Sequence, residues 1–217
     1  MIKNTHQRVG VFIDVQNLYY SAKNLHGAHV DFAKIVKEGL GDRQLIRAIA
    51  YVVRTEGEEE RPFLDALVKR GIETRERDLQ IFFGGHKKAD WDVGITIDCV
   101  RICEVLDVII LVSGDGDYIP LLEYLKQRGR QVEVMAFRRT TSSKLVEHAD
   151  IFTDLGEDDR FLIKSRRPLT RHTPTRRPTT KKPTPKPTSK PTSIRSSSKS
   201  TSRSTTRKTP TRRNSRK

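Results

Sequence analysis

Five consecutive apolar residues, Val108 to Val112, constrain the fold more than any other stretch of the chain. Such a run is typical of a strand buried on both faces in a parallel sheet. It leads into Ser113-Gly-Asp-Gly-Asp117, where the two glycines permit a sharp turn and two carboxylates lie close together. In open α/β sheets, ligands bind at the carboxyl ends of the strands. Two acids with no basic residue beside them therefore predict a cation site. The simpler alternative is that Asp115 or Asp117 caps a helix that begins near Tyr118.

Strand patterns alternate with helix patterns along most of the chain. A second buried strand, Val9 to Val15, also ends in an acid, Asp14, and a short helix is expected from Leu18. We predict further helices over 31–39, 62–71, 91–106, 119–128 and 142–148, and further strands over 44–53, 131–137 and 151–153. Residues 72–83 are expected to form one strand or a bent pair, and residues 86–89 an exposed loop. This alternation predicts an α/β fold, a three-layer sandwich of right-handed βαβ units with a mainly parallel central sheet.

The charge of the chain is distributed unevenly. Of its 42 basic residues, nineteen lie in 164–217, where there is no acid, so residues 1–163 hold 23 basic and all 27 acidic residues and carry a net charge of −4. Eight of the ten prolines also lie after Lys164, and no aromatic residue follows Phe161. Such a composition cannot bury enough apolar surface to offset the entropy of ordering. We therefore expect a folded domain over 1–163 and a disordered basic tail over 164–217.

The two cysteines, Cys99 and Cys103, lie four residues apart in an apolar stretch. Their spacing fits neither a disulfide framework nor the C-x₂-C pattern of a zinc site, and indicates buried thiols in a reducing compartment. The chain shows no signal-peptide pattern and no apolar stretch near the roughly 18 residues of a membrane span. We expect a soluble protein of the cytoplasm.

Further acids precede the strand at Val108. Asp98 lies in a helix that is apolar nearly all round, where an ionised carboxylate is costly unless it is paired or binds a metal. A salt bridge to Arg101 is the alternative. Asp92 lies six residues earlier, about 240° away around a helix axis, so both can face one point only if Asp92 stands at the helix start. Asp92 is either an N-cap or a ligand, and Asp90 is expected to be a solvated loop acid.

Asp14, Asp98, Asp115 and Asp117, with Asp92 as a further candidate, are thus expected to converge where the two buried strands lie side by side. Carboxylate clusters favour Mg²⁺ or Mn²⁺ over zinc. Such ions activate water and neutralise charge on a phosphodiester. The sequence contains no P-loop, dinucleotide fingerprint, serine-hydrolase elbow or H-E-x-x-H pair. Metal-assisted phosphodiester hydrolysis is the chemistry that these residues fit best.

Three motifs also carry a family resemblance: Phe12-Ile-Asp-Val-Gln-Asn17, Lys88 through Asp92 to Asp98, and Val112-Ser-Gly-Asp-Gly-Asp-Tyr118. Together with the closing Ala149-Asp-Ile-Phe-Thr-Asp-Leu155, they resemble the NYN domain of the PIN-like ribonucleases over residues 8–155, in particular the LabA-like group. The resemblance implies a PIN-like α/β sandwich and metal-dependent cleavage of RNA.

The resemblance also implies roles for particular residues. The metal would be held by Asp14, Asp98, Asp115 and Asp117, with Asp92 added to the catalytic set, and Asn17 would help to hold the cluster or the substrate. The extra acid in Lys87-Lys-Ala-Asp-Trp-Asp92 leaves open whether Asp90 or Asp92 matches the family position. We assign substrate contacts to Asn17, Ser113, Lys87 and Lys88; the two lysines are placed to hold a phosphate, unless they belong only to an exposed loop.

The basic tail is expected to bind nucleic acid through counterion release, without sequence preference and with a steep salt dependence. A solubilising or membrane-surface role is the alternative. Three functions follow from these features: a Mg²⁺- or Mn²⁺-dependent endoribonuclease that the tail loads with RNA, a non-catalytic nucleic-acid-binding regulator, and a phosphatase or other phosphodiesterase of small substrates.

Overall fold

The computed structural model describes residues 3–54, 61–81, 87–88 and 90–163. Its elements follow the predicted alternation of strands and helices. The strands are β1 (Arg8–Asp14), β2 (His29–Val30), β3 (Gln44–Arg54), β4 (Glu73–Asp78), β5 (Gln80–Ile81), β6 (Lys87–Lys88), β7 (Val108–Val112), β8 (Gln131–Ala136), β9 (Ile151–Asp154) and β10 (Leu162–Ile163). The helices are α1 (Val15–His26), α2 (Phe32–Leu40), α3 (Arg61–Val68), α4 (Asp92–Ile102), α5 (Ile119–Gln127) and α6 (Ser143–His148).

The central sheet has six strands in the order β4-β3-β1-β7-β8-β9, and all of its strand pairs are parallel. The chain continues from β1 to β3 on one side, whereas β7 pairs with β1 on the other side. The strand order therefore reverses between β1 and β7. In open α/β sheets, a crevice for ligands opens at this reversal, beyond the carboxyl ends of the two strands.

Alternate residues of the central strands face two separate hydrophobic layers. Val11 and Ile13 pack in one layer, which also contains apolar residues of α1, α2 and α3. Phe12 and Leu111 pack in the other, with apolar residues of α4, α5 and α6. This is the three-layer sandwich that the sequence predicts, and the unbroken apolar runs of β1 and β7 reflect burial on both faces.

A buried ion pair joins the start of β3 to β8. Arg43 and Glu133 are 6% and 3% exposed, and an Arg43 nitrogen lies 2.6 Å from Oε1 of Glu133. The same guanidinium donates to the carbonyl oxygens of Gly39 and Leu40 at the end of α2. The charge is thus paired and hydrogen-bonded, which a buried arginine requires.

Several local expectations are corrected by the structure. The short helix after β1 is a twelve-residue helix, α1, which ends at Gly27 in the left-handed conformation that favours glycine. Lys87 and Lys88, expected in a loop, form β6, which pairs with β5 in a separate two-stranded sheet, so residues 72–81 divide between two sheets. The helix predicted over 91–106 ends at Ile102, and a 3₁₀ turn follows.

The short antiparallel pair β2–β10 was not predicted. The cysteines at 99 and 103 are both free and buried, as their spacing predicts. The predicted disordered tail, 164–217, lies outside the described residues.

Candidate metal centre

Asp14 is the last residue of β1 and lies at the carboxyl end of the strand. Its Oδ1 accepts the backbone N–H of Asn17 at 3.0 Å and so caps α1, and its Oδ2 lies 3.5 Å from the hydroxyl of Ser113 at the end of β7. The side chain is buried, with 9% of the residue exposed. Burial raises the pKa of this carboxyl to about 6, the bond from Asn17 opposes the rise, and the negative charges of Asp92 and Asp115 add to it.

The loop after β7 is held in place by its own polar groups. The side-chain Oδ1 of Asn17 accepts the N–H of Gly114 at 3.0 Å, and the N–H of Asp115 donates to Ser113 Oγ at 3.3 Å. Asp115 then caps the 3₁₀ turn Gly116–Tyr118, because its Oδ1 accepts the N–H of Asp117 at 3.0 Å. The capping alternative for Asp115 is therefore realised, but the capping bond uses only one of its carboxylate oxygens.

The two glycines of this loop allow a neighbouring segment to pack closely against the backbone. They do not provide an unusual backbone conformation, since neither has a positive φ. A Cβ at Gly114 would lie 2.7 Å from Oγ1 of Thr141, and a Cβ at Gly116 would lie 3.0 Å from Oγ of Ser142. The segment after β8 thus occupies the space that side chains would need. The sequence indicates that these glycines permit a sharp turn; in the structure their lack of a Cβ leaves room for the segment after β8.

Asp92 reaches the same place from the other layer. It is the first residue of α4, and its Oδ1 accepts the buried hydroxyl of Tyr118 at 3.0 Å. Partial burial raises the pKa of Asp92, the Tyr118 bond opposes the rise, and the charge of Asp115 adds to it. Burial and these nearby acids also raise the pKa of the Tyr118 phenol, so that it remains a donor.

Three carboxylates meet at this point. Among the described residues, Asp92, Asp115 and Asp117 each offer one oxygen such that the three oxygens lie within 4.8 Å of one another. Asp14 lies outside this group, but its pKa responds to Asp92 and Asp115. Oxygen-only donors suit hard cations such as Mg²⁺ and Mn²⁺. Asp14 is a buried carboxylate beside Asp92 and Asp115, and no cationic side chain among the described residues is hydrogen-bonded to it, which fits a site whose charge is balanced by a bound ion.

Asp98 does not join this group. Its Oδ2 accepts the hydroxyl of Tyr51 at 2.9 Å, and Arg101 lies 3.7 Å from its Oδ1. Because Asp98 is six residues after Asp92, it projects from a different side of α4. The structure therefore realises the salt-bridge alternative for Asp98 and does not bring it to the cluster as expected. Asp92, rather than Asp90, is the acid that meets Asp115 and Asp117.

The predicted substrate-contact residues occupy different environments. Ser113 is completely buried and bonded to Asp14 and Asp115, so it supports the acids and presents no exposed hydroxyl. Asn17 uses its side-chain oxygen to hold the loop at Gly114. Lys87 and Lys88 lie in β6, a few residues before Asp92. Of their side chains nothing is described, and their phosphate contacts remain a prediction.

Two features of the site were not anticipated. The sequence indicates Tyr118 only as the start of a helix, although its position directly after Gly-Asp-Gly-Asp places it beside the acids. The packing of Thr141 and Ser142 against the glycines had no local signal, because these residues are distant in sequence from the loop that they contact.

The fold and the site together define a nuclease-type α/β domain with an acidic cluster at the edge of a parallel sheet. The NYN domain family matches residues 8–156, and the chain therefore belongs to this family, whose members are generally ribonuclease-like hydrolases. The chain is similar to the low amplitude and bright protein LabA of Synechococcus elongatus, with 28% identity over 169 residues that cover 74% of this chain and 90% of that protein.

A solved structure supports the fold. The chain is similar to a Vibrio parahaemolyticus protein of unknown function, with 32% identity and a TM-score of 0.68, over 75% of this chain and all of that one. Within the part of the chain that the structure describes, no helix has both the length and the apolar character needed to cross a bilayer.

Proposed function

We propose that this protein is a metal-dependent endoribonuclease that hydrolyses RNA phosphodiesters at the carboxylate cluster. The observation that carries the proposal is the approach of Asp92, Asp115 and Asp117 to within 4.8 Å in a NYN domain. Three acids from two separate elements meet at the strand-order reversal, where α/β domains bind their ligands.

A Mg²⁺ or Mn²⁺ ion held by Asp92, Asp115 and Asp117 would supply an activated water and neutralise charge on the phosphate. The protein's part is to hold these oxygens in place. Tyr118 fixes Asp92 through its hydroxyl, and Ser113 fixes the backbone of Asp115. Asp14, whose pKa is raised in part by the charges of Asp92 and Asp115, would add negative charge that favours the cation.

The substrate is proposed to be RNA because NYN domains are generally ribonuclease-like, and the basic charges outside the acidic site are complementary to such a polyanion. Residues 1–163 are net acidic, so an RNA strand needs basic groups to approach them. Lys87 and Lys88 are proposed to contact phosphates near the site. The nineteen basic residues of 164–217 are proposed to raise the local RNA concentration through salt-sensitive, sequence-independent contacts.

The test is cleavage of a mixed set of labelled RNAs by the purified full chain, with Mn²⁺, Mg²⁺ or EDTA. We expect the wild-type protein to make internal cuts that depend on the metal. The Asp115→Asn variant should cut at a rate at least about 100-fold lower, because the substitution removes a group that acts directly on the reaction. The matched control is Asp65→Asn, which removes the same charge from an exposed position on α3.

Each outcome separates the candidate functions. Cutting that Asp115→Asn loses and Asp65→Asn keeps supports the endoribonuclease. Binding without cutting, equal in all three proteins and removed by high salt, would contradict it and would assign the function to a non-catalytic nucleic-acid-binding regulator.

A further inference from the structure

A basic segment lies directly beside the acidic cluster. Residues 138–144 read Arg-Arg-Thr-Thr-Ser-Ser-Lys, with three cations, four hydroxyls and no acid. The segment follows β8, includes the 3₁₀ turn Arg138–Thr140, and ends in the first turn of α6. Because β8 is parallel to β7 and adjacent to it, the segment leaves the sheet at the same carboxyl edge as the acidic loop. We call residues 138–144 the basic turn.

The basic turn packs against the loop that carries Asp115 and Asp117. The N–H of Ser142 donates to the carbonyl oxygen of Gly114 at 3.0 Å. Thr141 and Ser142 also fill the space beside the two loop glycines. On the other side, the hydroxyl of Thr140 donates to Ser21 of α1 at 3.0 Å. The basic turn is therefore fixed between the acidic loop and α1.

All three cations of the basic turn are exposed, and none forms an ion pair within the described residues; Arg138 stacks on the ring of Phe152. Half of the exposed arginines that the structure describes form an ion pair, as Arg128 does with Glu104 and Arg160 with Glu38. Arg139 and Lys144 are each two or three residues from a residue that touches the acidic loop, so the Cα of each lies within roughly 7–10 Å of that contact.

We propose that the basic turn binds the phosphodiester backbone of an RNA strand beside the carboxylate cluster, with Arg139 and Lys144 contacting phosphates and the exposed hydroxyl of Ser143 donating to a phosphate oxygen. The proposal rests on the proposed function, because it names how that site holds its substrate. The acids repel a polyanion, and cations that are not neutralised by the protein's own carboxylates offset this repulsion where the strand must approach.

The first test is lysine footprinting on the full chain. Short single-stranded RNA is added in EDTA, so that metal-dependent cutting is absent. The rate of acetylation at each lysine is then measured by mass spectrometry. We expect RNA to slow the modification of Lys144 several-fold and to leave Lys37 and Lys69 unchanged. These two lysines are exposed, and they lie at or just after the ends of α2 and α3, the helix ends nearest the amino edge of the sheet. Equal rates at Lys144 with and without RNA, alongside protection of lysines in 164–217, would overturn the proposal.

The second test compares two variants of equal charge. We expect the Arg139→Gln, Lys144→Gln double variant to bind RNA with a plot of log K against log salt that is shallower by about 1.4, because each phosphate contact to single-stranded RNA contributes about 0.7. The control, Lys37→Gln with Lys69→Gln, should keep the slope of the wild-type protein. Equal slopes for both double variants would overturn the proposal.

The footprint and the cleavage assay can fail independently. If the wild-type protein cuts RNA and the Arg139→Gln, Lys144→Gln double variant has the same KM, the proposed nuclease activity is supported but the basic turn is not the binding site. If no protein cuts RNA but Lys144 is protected, the basic turn binds RNA and the proposed reaction is wrong.

Discussion

Replacing Asp14 by asparagine should stabilise the folded protein in the absence of a divalent cation. The carboxyl is buried beside other acids, and its pKa is raised from 3.8 to about 6. Asparagine is uncharged, has nearly the same shape, and can still accept the N–H of Asn17. The substitution therefore removes the cost of a buried negative charge while keeping the cap of α1.

The magnitude follows from the pKa. Each unit by which the folded and unfolded pKa values differ is worth about 1.4 kcal/mol, so ionised Asp14 lowers the free energy of unfolding by about 3 kcal/mol. Because the folded pKa is the higher one, this cost is absent well below pH 3.8, grows between pH 3.8 and 6, and is constant above. The stability gained by Asp14→Asn should therefore be about 3 kcal/mol at pH 8 and under about 1 kcal/mol at pH 4.

The assay is urea unfolding of the wild-type and variant full chains in EDTA at pH 4 and pH 8. The control is Asp107→Asn, because Arg8 lies 2.8 Å away and lowers the pKa of Asp107 to about 2. A lowered folded pKa stabilises the protein above pH 3.8, and this contribution is lost as the pH falls through about 2. Since the Asp107 side chain is 36% exposed, solvent screens its ion pair, and Asp107→Asn should lower the free energy of unfolding at pH 8 by only about 1 kcal/mol.

At pH 8, Asp14→Asn should raise the free energy of unfolding, whereas Asp107→Asn should lower it. If Asp14→Asn were no more stable than the wild-type protein at pH 8, or gained the same stability at both pH values, the idea that burial of ionised Asp14 destabilises the fold would be wrong.

Three further predictions concern contacts of the site and the core. Tyr118→Phe removes the hydroxyl that holds Asp92, so we expect about tenfold weaker Mn²⁺ binding by calorimetry with little loss of stability; unchanged affinity would contradict this role. Gly114→Ala brings a Cβ against Thr141 and the backbone of residue 140, and should cost about 1–3 kcal/mol in thermal unfolding; a neutral effect would show that the segment moves freely. Glu133→Ala leaves Arg43 buried without its partner and should cost about 3–5 kcal/mol in urea unfolding, against under about 1 kcal/mol for Glu38→Ala in an exposed pair; similar losses would refute the difference in burial.

Much of the fold could be predicted because its signals are local. The apolar runs of β1 and β7 indicated strands buried on both faces, and the alternation with helices indicated a parallel α/β sheet. The position of Asp14 at the end of β1 placed an acid at the carboxyl end of a central strand. Burial on both faces leaves a direct mark on composition, which explains why these predictions were confirmed.

Selection among the acids of α4 needed the structure. From the sequence, Asp90, Asp92 and Asp98 were all candidates, and Asp98 was preferred because an acid in an apolar helix must have a partner. Its partners are Arg101, three residues later on the same helix, and Tyr51 of β3, a contact that depends on how α4 packs on the sheet. The start of α4 at Asp92 decides which acid faces the loop after β7, and helix boundaries are weakly marked in a sequence.

What the sequence by itself determined is the class of fold, the edge of the sheet where the site lies, and the acidic character of that site. The tertiary structure alone decided which carboxylates meet, that Gly114 and Gly116 are needed for close packing, and that the basic turn lies beside the acids. The burial of a strand can be predicted from the residues next to one another in the sequence, whereas these contacts join segments more than twenty residues apart. Their geometry depends on the packing of whole elements, which no local pattern specifies.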